Sequence, residues 1–148
     1  MDALYQQQIL ALAKNMRDSV LVAQPTHAAL VSNPTCGDRV NMTLQAQHHN
    51  TDNLVITAAG AEVRGCALCE AGAGLFLNIA NGLTSADAAA LQNAFAAWLA
   101  GDDDAAIHKR MEMFQPVRSI KGRHQCVTLA FDAAVKALHQ PDSPASTG

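Results

Sequence analysis

Hydrophobic and polar positions divide the chain into regions of different period. Near the start, Tyr5, Ile9, Leu12 and Met16 recur at spacings of four, three and four, a stripe along one face of a helix. From Thr26 to Gly60 the period becomes two. Val40, Met42, Leu44 and Ala46 alternate with Arg39, Asn41, Thr43 and Gln45, the pattern of a strand with one buried face. Leu54, Ile56 and Ala58 repeat the alternation after the turn-like His49-Asn50-Thr51-Asp52-Asn53, so the two runs read as an antiparallel hairpin. Ala28 to Val31, ahead of Pro34, supplies a third strand.

Beyond Gly65 the chain is alanine-rich and helix-periodic. Leu68, Leu75 and Ile79 mark a helix that stops at Asn81-Gly82. Thr84-Ser85-Ala86-Asp87 then has the form of a capping box, with Asp in the Glu place, and opens a second helix that runs to about Ala100. After Gly101, the run Asp102-Asp103-Asp104 is expected to begin another short helix, where carboxylates oppose the positive end of the dipole. Gln115 to Gly122 reads as a loop, and Val127, Ala130, Phe131, Val135 and Leu138 form the inward stripe of a last helix. Sheet first and helices afterwards predict an α+β fold, a small three-stranded antiparallel sheet packed against several α-helices. Residues 1–139 read as a single domain, and the Pro/Ser/Thr-rich tail, 140–148, as disordered.

Composition narrows the function. A chain of 148 residues, 49% hydrophobic, has material for one ordinary core. Ten basic against thirteen acidic side chains, with no basic block, give a net charge of -3 and exclude a phosphate-backbone partner, so no nucleic acid is expected. Apolar runs stop well short of the roughly 18 to 20 residues a membrane span needs. The segment from Met1 to Gln8 lacks the basic-then-apolar pattern of a secretory signal, which makes a cytoplasmic, reducing setting the expectation for the four cysteines. Thiols kept in such a compartment serve metal or redox chemistry more often than structural bridges.

Three cysteines fall where one element gives way to the next: Cys36 in the turn between two strands, Cys66 where sheet yields to helix, and Cys126 in the first turn of the last helix. A thiol at a helix start faces unpaired N–H groups and the positive dipole end, which favour the thiolate that binds metal or attacks sulfur. Asp38 follows Cys36 with Gly37 between them, and glycine permits the sharp turn that can aim both groups at one point. Three sulfurs and one carboxylate oxygen suit Zn2+, and the same groups could hold an iron-sulfur cluster. The harder oxygen donor favours release over permanence, as a carrier requires.

Cys69 makes Cys66-Ala67-Leu68-Cys69 a C-x-x-C, which raises a thiol-disulfide oxidoreductase as a rival reading. Cys69 could equally pack in the core, or act as a spare ligand or resolving thiol. A domain built around structural zinc is a third reading. His124, two residues before Cys126, could coordinate, move a proton or support the site from outside. Arg123, three residues before Cys126, could offset the excess negative charge that four anionic ligands leave on a divalent ion. The other histidines show no ligand spacing.

These residues resemble a known family. Asn33-Pro34-Thr35-Cys36-Gly37-Asp38-Arg39, Gly65-Cys66-Ala67-Leu68-Cys69-Glu70-Ala71 and Arg123-His124-Gln125-Cys126-Val127-Thr128-Leu129-Ala130 are similar to the three cysteine motifs of the U-type iron-sulfur assembly proteins, IscU, SufU and the N-terminal domain of NifU. The resemblance runs from Leu4 to Leu138 and implies a three-stranded antiparallel sheet covered by helices. It also implies that Cys36, Asp38, Cys66 and Cys126 are the ligands of a Zn2+ ion or a transferable [2Fe-2S] cluster. Persulfide sulfur would come from a cysteine desulfurase of the SufS or IscS type, with Cys126 or Cys66 as acceptor, and pass on to apo iron-sulfur acceptor proteins. Such a chain is a scaffold or sulfur-transfer protein rather than a free-standing enzyme. The longer Leu91–Arg123 segment, Ser119-Ile120-Lys121-Gly122 in place of a Leu-Pro-Pro-Val-Lys chaperone motif, and Arg123 itself lean towards the SufU type. Cys69, and Lys14-Asn15-Met16-Arg17 in place of the usual Asn-Pro-Arg, depart from the family pattern.

Overall fold

The structure, a computed structural model, describes residues 3–35 and 37–140. Position 36 and the tail 141–148 lie outside the described residues. Helix α1 (Ala3–Asp18) buries Ile9, Leu12 and Met16, the stripe its spacing predicts. Strands β1 (His27–Ser32), β2 (Arg39–His48) and β3 (Leu54–Arg64) form an antiparallel sheet in the order β1-β2-β3. Helices α2 (Ala67–Ile79), α3 (Ser85–Leu99) and α4 (His124–Leu138) follow, with two 3-10 segments, Lys109–Ser119 and Lys121–Arg123, between α3 and α4. The α+β fold expected from the pattern is the one observed.

Alternation along β2 puts Val40, Met42, Leu44 and Ala46 in the core. Strand β3 does not keep one phase. A bulge at Gln45/Ala46 skips Thr57, so Ala46 pairs with Ile56 but Gln45 with Ala58. The extra residue flips the faces: Ile56 and Ala61 are buried while Ala58, expected on the inner face, is exposed. The strand also continues past Ala58 to Arg64, which delivers the chain to the same end of the sheet from which β2 departs.

Helix α2 is apolar except for Glu70 and Asn78, the composition of a helix largely enclosed by protein. Residues Ala71 to Phe76 are all buried. Two glycines on nearly opposite sides of this helix set its neighbours: a Cβ on Gly74 would overlap the Leu12 carbonyl of α1, and a Cβ on Gly72 would overlap the Val127 carbonyl of α4. Backbone therefore meets backbone on both flanks. Beyond these contacts Phe76, Phe95, Phe114 and Phe131 interlock edge to face, with centroids 5.2 to 5.7 Å apart, joining α2, α3, the longer 3-10 segment and α4.

The capping box is present at α3: Asp87 N–H donates to Thr84 Oγ1 at 3.1 Å, and Thr84 N–H donates back to Asp87 Oδ2 at 3.1 Å. The acidic run behaves differently from expectation. Asp102–Asp104 starts no helix; Asp102 Oδ1 accepts from Asp104 N–H within a turn, and Asp103 pairs at 2.6 Å with Arg118. Arg118 also lies 4.8 Å from the Trp98 ring centre and donates from Nε to the Trp98 carbonyl. That anchor holds the 3-10 segment Lys109–Ser119 against α3 across much of what reads as loop in the sequence. With about three residues per turn and Pro116 within it, the segment lacks the 3.6-residue signature that pattern reading detects.

One titratable group in the helical layer carries a pH consequence. Burial pushes the Asp132 carboxyl above its ordinary value of 3.8, and a hydrogen bond from Gln92 Nε2, 2.8 Å, draws it part of the way back. A carboxyl raised in the folded state favours folding most below the ordinary value, and that contribution is lost as pH rises through the raised pKa. Asp132→Asn keeps the acceptor for Gln92 and removes the titration. Denaturant midpoints measured from pH 3 upward should show the variant gaining on the parent through that window, and parallel profiles would contradict the linkage.

Candidate metal and sulfur site

The sheet register brings the two halves of the site together. Ser32, Arg39 and Arg64 lie side by side across β1, β2 and β3. Asp38, just before β2, and Gly65, just after β3, therefore meet at one sheet end. The loop that carries Asp38 is tied by Asn33 N–H to the Asp38 carbonyl at 2.8 Å and by Gly37 N–H to the Asn33 carbonyl at 2.7 Å. Gly37 takes φ +78°, a left-handed conformation that side chains other than glycine rarely adopt. Asp38 is thereby turned inward and is only 5% exposed. Such burial of a carboxylate requires a partner.

Gly65 makes room for it. A Cβ built there would stand 2.7 Å from Asp38 Oδ1 and 2.8 Å from its Cγ. The next residue, Cys66, is the N-cap of α2, with extended backbone (φ -75°, ψ 170°) and no side-chain cap bond. Its Sγ instead lies 3.7 Å from Asp38 Oδ2, the thiol donating to the carboxylate. The crossing at Gly72 and Val127 brings in the start of α4, where Cys126 sits in the first turn at 1% exposure. A carboxylate oxygen of Asp38, Cys66 Sγ and Cys126 Sγ all fall within 4.8 Å of one another.

The donor set fits the chemistry expected of it. Zinc–sulfur bonds of about 2.3 Å and zinc–oxygen bonds of about 2.0–2.2 Å give tetrahedral edges of roughly 3.5–3.8 Å. The Cys66–Asp38 separation already equals such an edge, and no other distance among the three atoms exceeds 4.8 Å. Cys36, expected as the fourth ligand, lies outside the described residues, two positions before Asp38 in the loop that Gly37 turns.

Other residues singled out in the sequence take different places. His124 is no ligand here: its Nε2 lies 3.0 Å from the Val117 carbonyl and 3.1 Å from that of Arg118, so the ring fastens the 3-10 segment to the start of α4. Arg123 is exposed at the N-cap of α4. Cys69 is buried, at 1% exposure, one turn into α2. His108 caps the longer 3-10 segment, its Nδ1 accepting from Arg110 N–H at 3.0 Å. Two features went unread in the sequence. Gly65 and Gly72 position Asp38 and Cys126, and glycine in an alanine-rich stretch signals neither contact. Arg17 of α1 pairs at 2.9 Å with Glu70, on the first turn of α2 beside Cys66. Its nearness to the usual Asn-Pro-Arg position is the one hint the sequence offers.

Comparisons with known proteins bear on the family and the fold. The family model described as the NifU-like N-terminal domain matches residues 4–140. The zinc-dependent sulfurtransferase SufU of Bacillus subtilis (strain 168) is 28% identical over 140 residues, spanning 93% of this chain and 91% of that protein. Among solved structures, the N-terminal NifU-like protein from Brucella abortus superposes with a TM-score of 0.76 at 29% identity, covering 90% of each chain. A chain from Fervidobacterium islandicum AW-1, described as an iron-sulfur cluster assembly scaffold for the SUF system, gives a TM-score of 0.75 at 20% identity over 89% of this chain and 94% of its own, a likeness of fold.

Proposed function

Because the chain belongs to the NifU-like N-terminal domain family, we propose that it is a sulfur acceptor and assembly scaffold of the SufU kind, working with a cysteine desulfurase. Persulfide sulfur arrives from that partner, and the four groups Cys36, Asp38, Cys66 and Cys126 hold a zinc ion or a transferable [2Fe-2S] cluster. The observation that carries this reading is the convergence of Asp38, Cys66 and Cys126, distant along the chain, to within 4.8 Å. Residues 1–139 are the working unit. No helix among the described residues is long and apolar enough to cross a membrane.

Each residue has a part that follows from its setting. Cys66, half-buried at the helix start, is the most accessible of the three described thiols and the best placed to meet a donor; Cys126, almost wholly buried, is the better placed to anchor. Asp38 is the hard, weaker donor of a soft set, so it is the ligand that exchanges first. Zinc bound here would keep its thiol ligands deprotonated and ready to act as nucleophiles. Arg123, exposed three residues before Cys126, and the exposed, paired Arg39 and Arg64, which adjoin Asp38 and Gly65 in the chain, are the cations available to offset the excess negative charge of four anionic ligands on a divalent ion.

The test begins with elemental analysis of freshly purified protein, where roughly one zinc or iron-sulfur complement per chain is expected of a single four-ligand site. Cysteine turnover by a desulfurase should then rise when the protein is added. Cys66→Ala and Cys126→Ala should abolish that stimulation, while Lys136→Ala, exposed in the last turn of α4 at the other end from Cys126, leaves it unchanged. Identical desulfurase rates with and without the protein would sink the proposal. A metal-free protein cycling a Cys66–Cys69 disulfide would favour the oxidoreductase reading.

A further inference from the structure

Cys69 stands outside the ligand set, yet helix geometry places it beside one member of that set. Cys66 is the N-cap of α2, and Cys69 is therefore its N3 residue. The same chain shows what that relation brings together. Thr84, the N-cap of α3, has φ -84° and ψ 167°, nearly the backbone of Cys66 at -75° and 170°. There the N-cap Oγ1 lies 3.1 Å from the N3 backbone nitrogen, and the N3 side chain folds back to within 3.1 Å of the N-cap nitrogen. Side chains so arranged approach the short Cβ separation a disulfide needs, about 3.5–4.5 Å. The Cys66 side chain makes no cap bond, so rotation about its own Cα–Cβ bond can carry Sγ from Asp38 towards Cys69.

Accessibility differs between the two thiols. Cys66 is half-buried and can be loaded from outside, whereas Cys69 is 1% exposed. Gly72, one turn further along the same face, abuts Val127, so this face of α2 is turned to the first turn of α4 and away from solvent. Cys69 is thus screened from external reactants and can meet only a neighbour.

We infer that Cys69 is the resolving thiol for a persulfide on Cys66, releasing its outer sulfur as sulfide. The inference rests on the sulfur-acceptor function proposed above and supplies a step that function needs. The outer sulfur of a persulfide is formally zero-valent, and the sulfide of a cluster requires two more electrons. Cys69 Sγ attacks Cys66 Sγ; the Cys66–Cys69 sulfur–sulfur bond forms, and the bond from Cys66 to the outer sulfur breaks. The outer sulfur leaves with the electron pair of that bond and the proton of Cys69, as hydrogen sulfide. The two cysteine sulfurs are oxidised to a disulfide, the outer sulfur is reduced, and a dithiol reductant afterwards restores both thiols.

Full-length protein is loaded with persulfide by a desulfurase and cysteine, or by inorganic polysulfide, then freed of small thiols. Without added reductant the parent chain should release roughly one sulfide per persulfide and leave a Cys66–Cys69 disulfide in its peptide map. Cys69→Ser, and Cys69→Ala as a variant that keeps the buried site apolar, should keep the persulfide and release sulfide at least about tenfold more slowly, the loss of an intramolecular reactant. Release at the parental rate from both folded variants, or a disulfide that omits Cys69, would overturn the inference. The two loading routes separate it from the function: failure of the desulfurase alone counts against the proposed function, while Cys69-dependent discharge of the polysulfide-loaded protein still supports the resolving step.

Discussion

Gly72→Ala is expected to destabilise the fold by about 2–3 kcal/mol, although alanine in a helix interior normally gains about 0.5–1 kcal/mol over glycine. The overlap decides the sign. The added Cβ would collide with the carbonyl of Val127, a backbone atom on a neighbouring helix that cannot swing aside as a side-chain tip could. Relief requires α2 and α4 to part, and Val127 adjoins Cys126, so the same displacement draws that thiol away from Cys66. Equilibrium unfolding in urea should therefore show a lower midpoint at an unchanged slope, together with reduced metal content. Gly122→Ala, where the added atom meets nothing within 4 Å, is the control and should be neutral or slightly stabilising. A Gly72→Ala variant as stable as that control would mean that the helices do not cross in this way.

That outcome bears on what the sequence could disclose. Alternation at Val40, Met42, Leu44 and Ala46 was readable because burial on one sheet face imposes a period of two. The capping box at Thr84 was readable because it is local in both sequence and space. Ala58 reads as an inner-face residue yet is exposed, because a bulge is a relation between two strands and neither Gln45 nor Thr57 carries a mark of it. Asp102–Asp104 reads as a helix start but forms none for a similar reason: the partner of Asp103 is Arg118, and no rule of helix starts anticipates an ion pair across fifteen residues.

The candidate site divides along the same line. Residue types that bind metal announce themselves: Cys36, Cys66 and Cys126 stand out at element boundaries, and Asp38 by following Cys36 with only Gly37 between them. The residues that make their meeting possible do not announce themselves. Gly65 and Gly72 act through an atom they lack, and His124 looks like a ligand until its Nε2 is seen against the carbonyls of Val117 and Arg118. Side-chain chemistry is written locally, whereas close approach belongs to pairs of elements and appears only when they are packed.

Gly65→Ala puts this distinction to the sharpest test, because it changes no ligand. Zinc affinity is expected to fall by about 10- to 100-fold, the usual consequence of disturbing a group that orients a ligand. The added Cβ would lie 2.7 Å from Oδ1, 2.8 Å from Cγ and 3.1 Å from Cβ of Asp38, so the whole side chain has to move rather than its tip alone. Asp38 is almost enclosed, with Cys66 Sγ 3.7 Å from its other oxygen, and any shift takes the carboxylate away from that sulfur. Gly65 itself is exposed at the end of β3 and the clash is with one side chain, so the metal-free protein should still fold, with a smaller loss of stability than Gly72→Ala, whose added atom meets a neighbouring backbone. The effect must also vanish where there is no carboxylate to displace. In an Asp38→Ala background Gly65→Ala should cost no further affinity, whereas two independent contributions would add. Competition with a chromophoric chelator measures all four proteins of the cycle. Additive losses would assign Gly65 a separate role, and full affinity in the single variant would show that Asp38 does not lie against it.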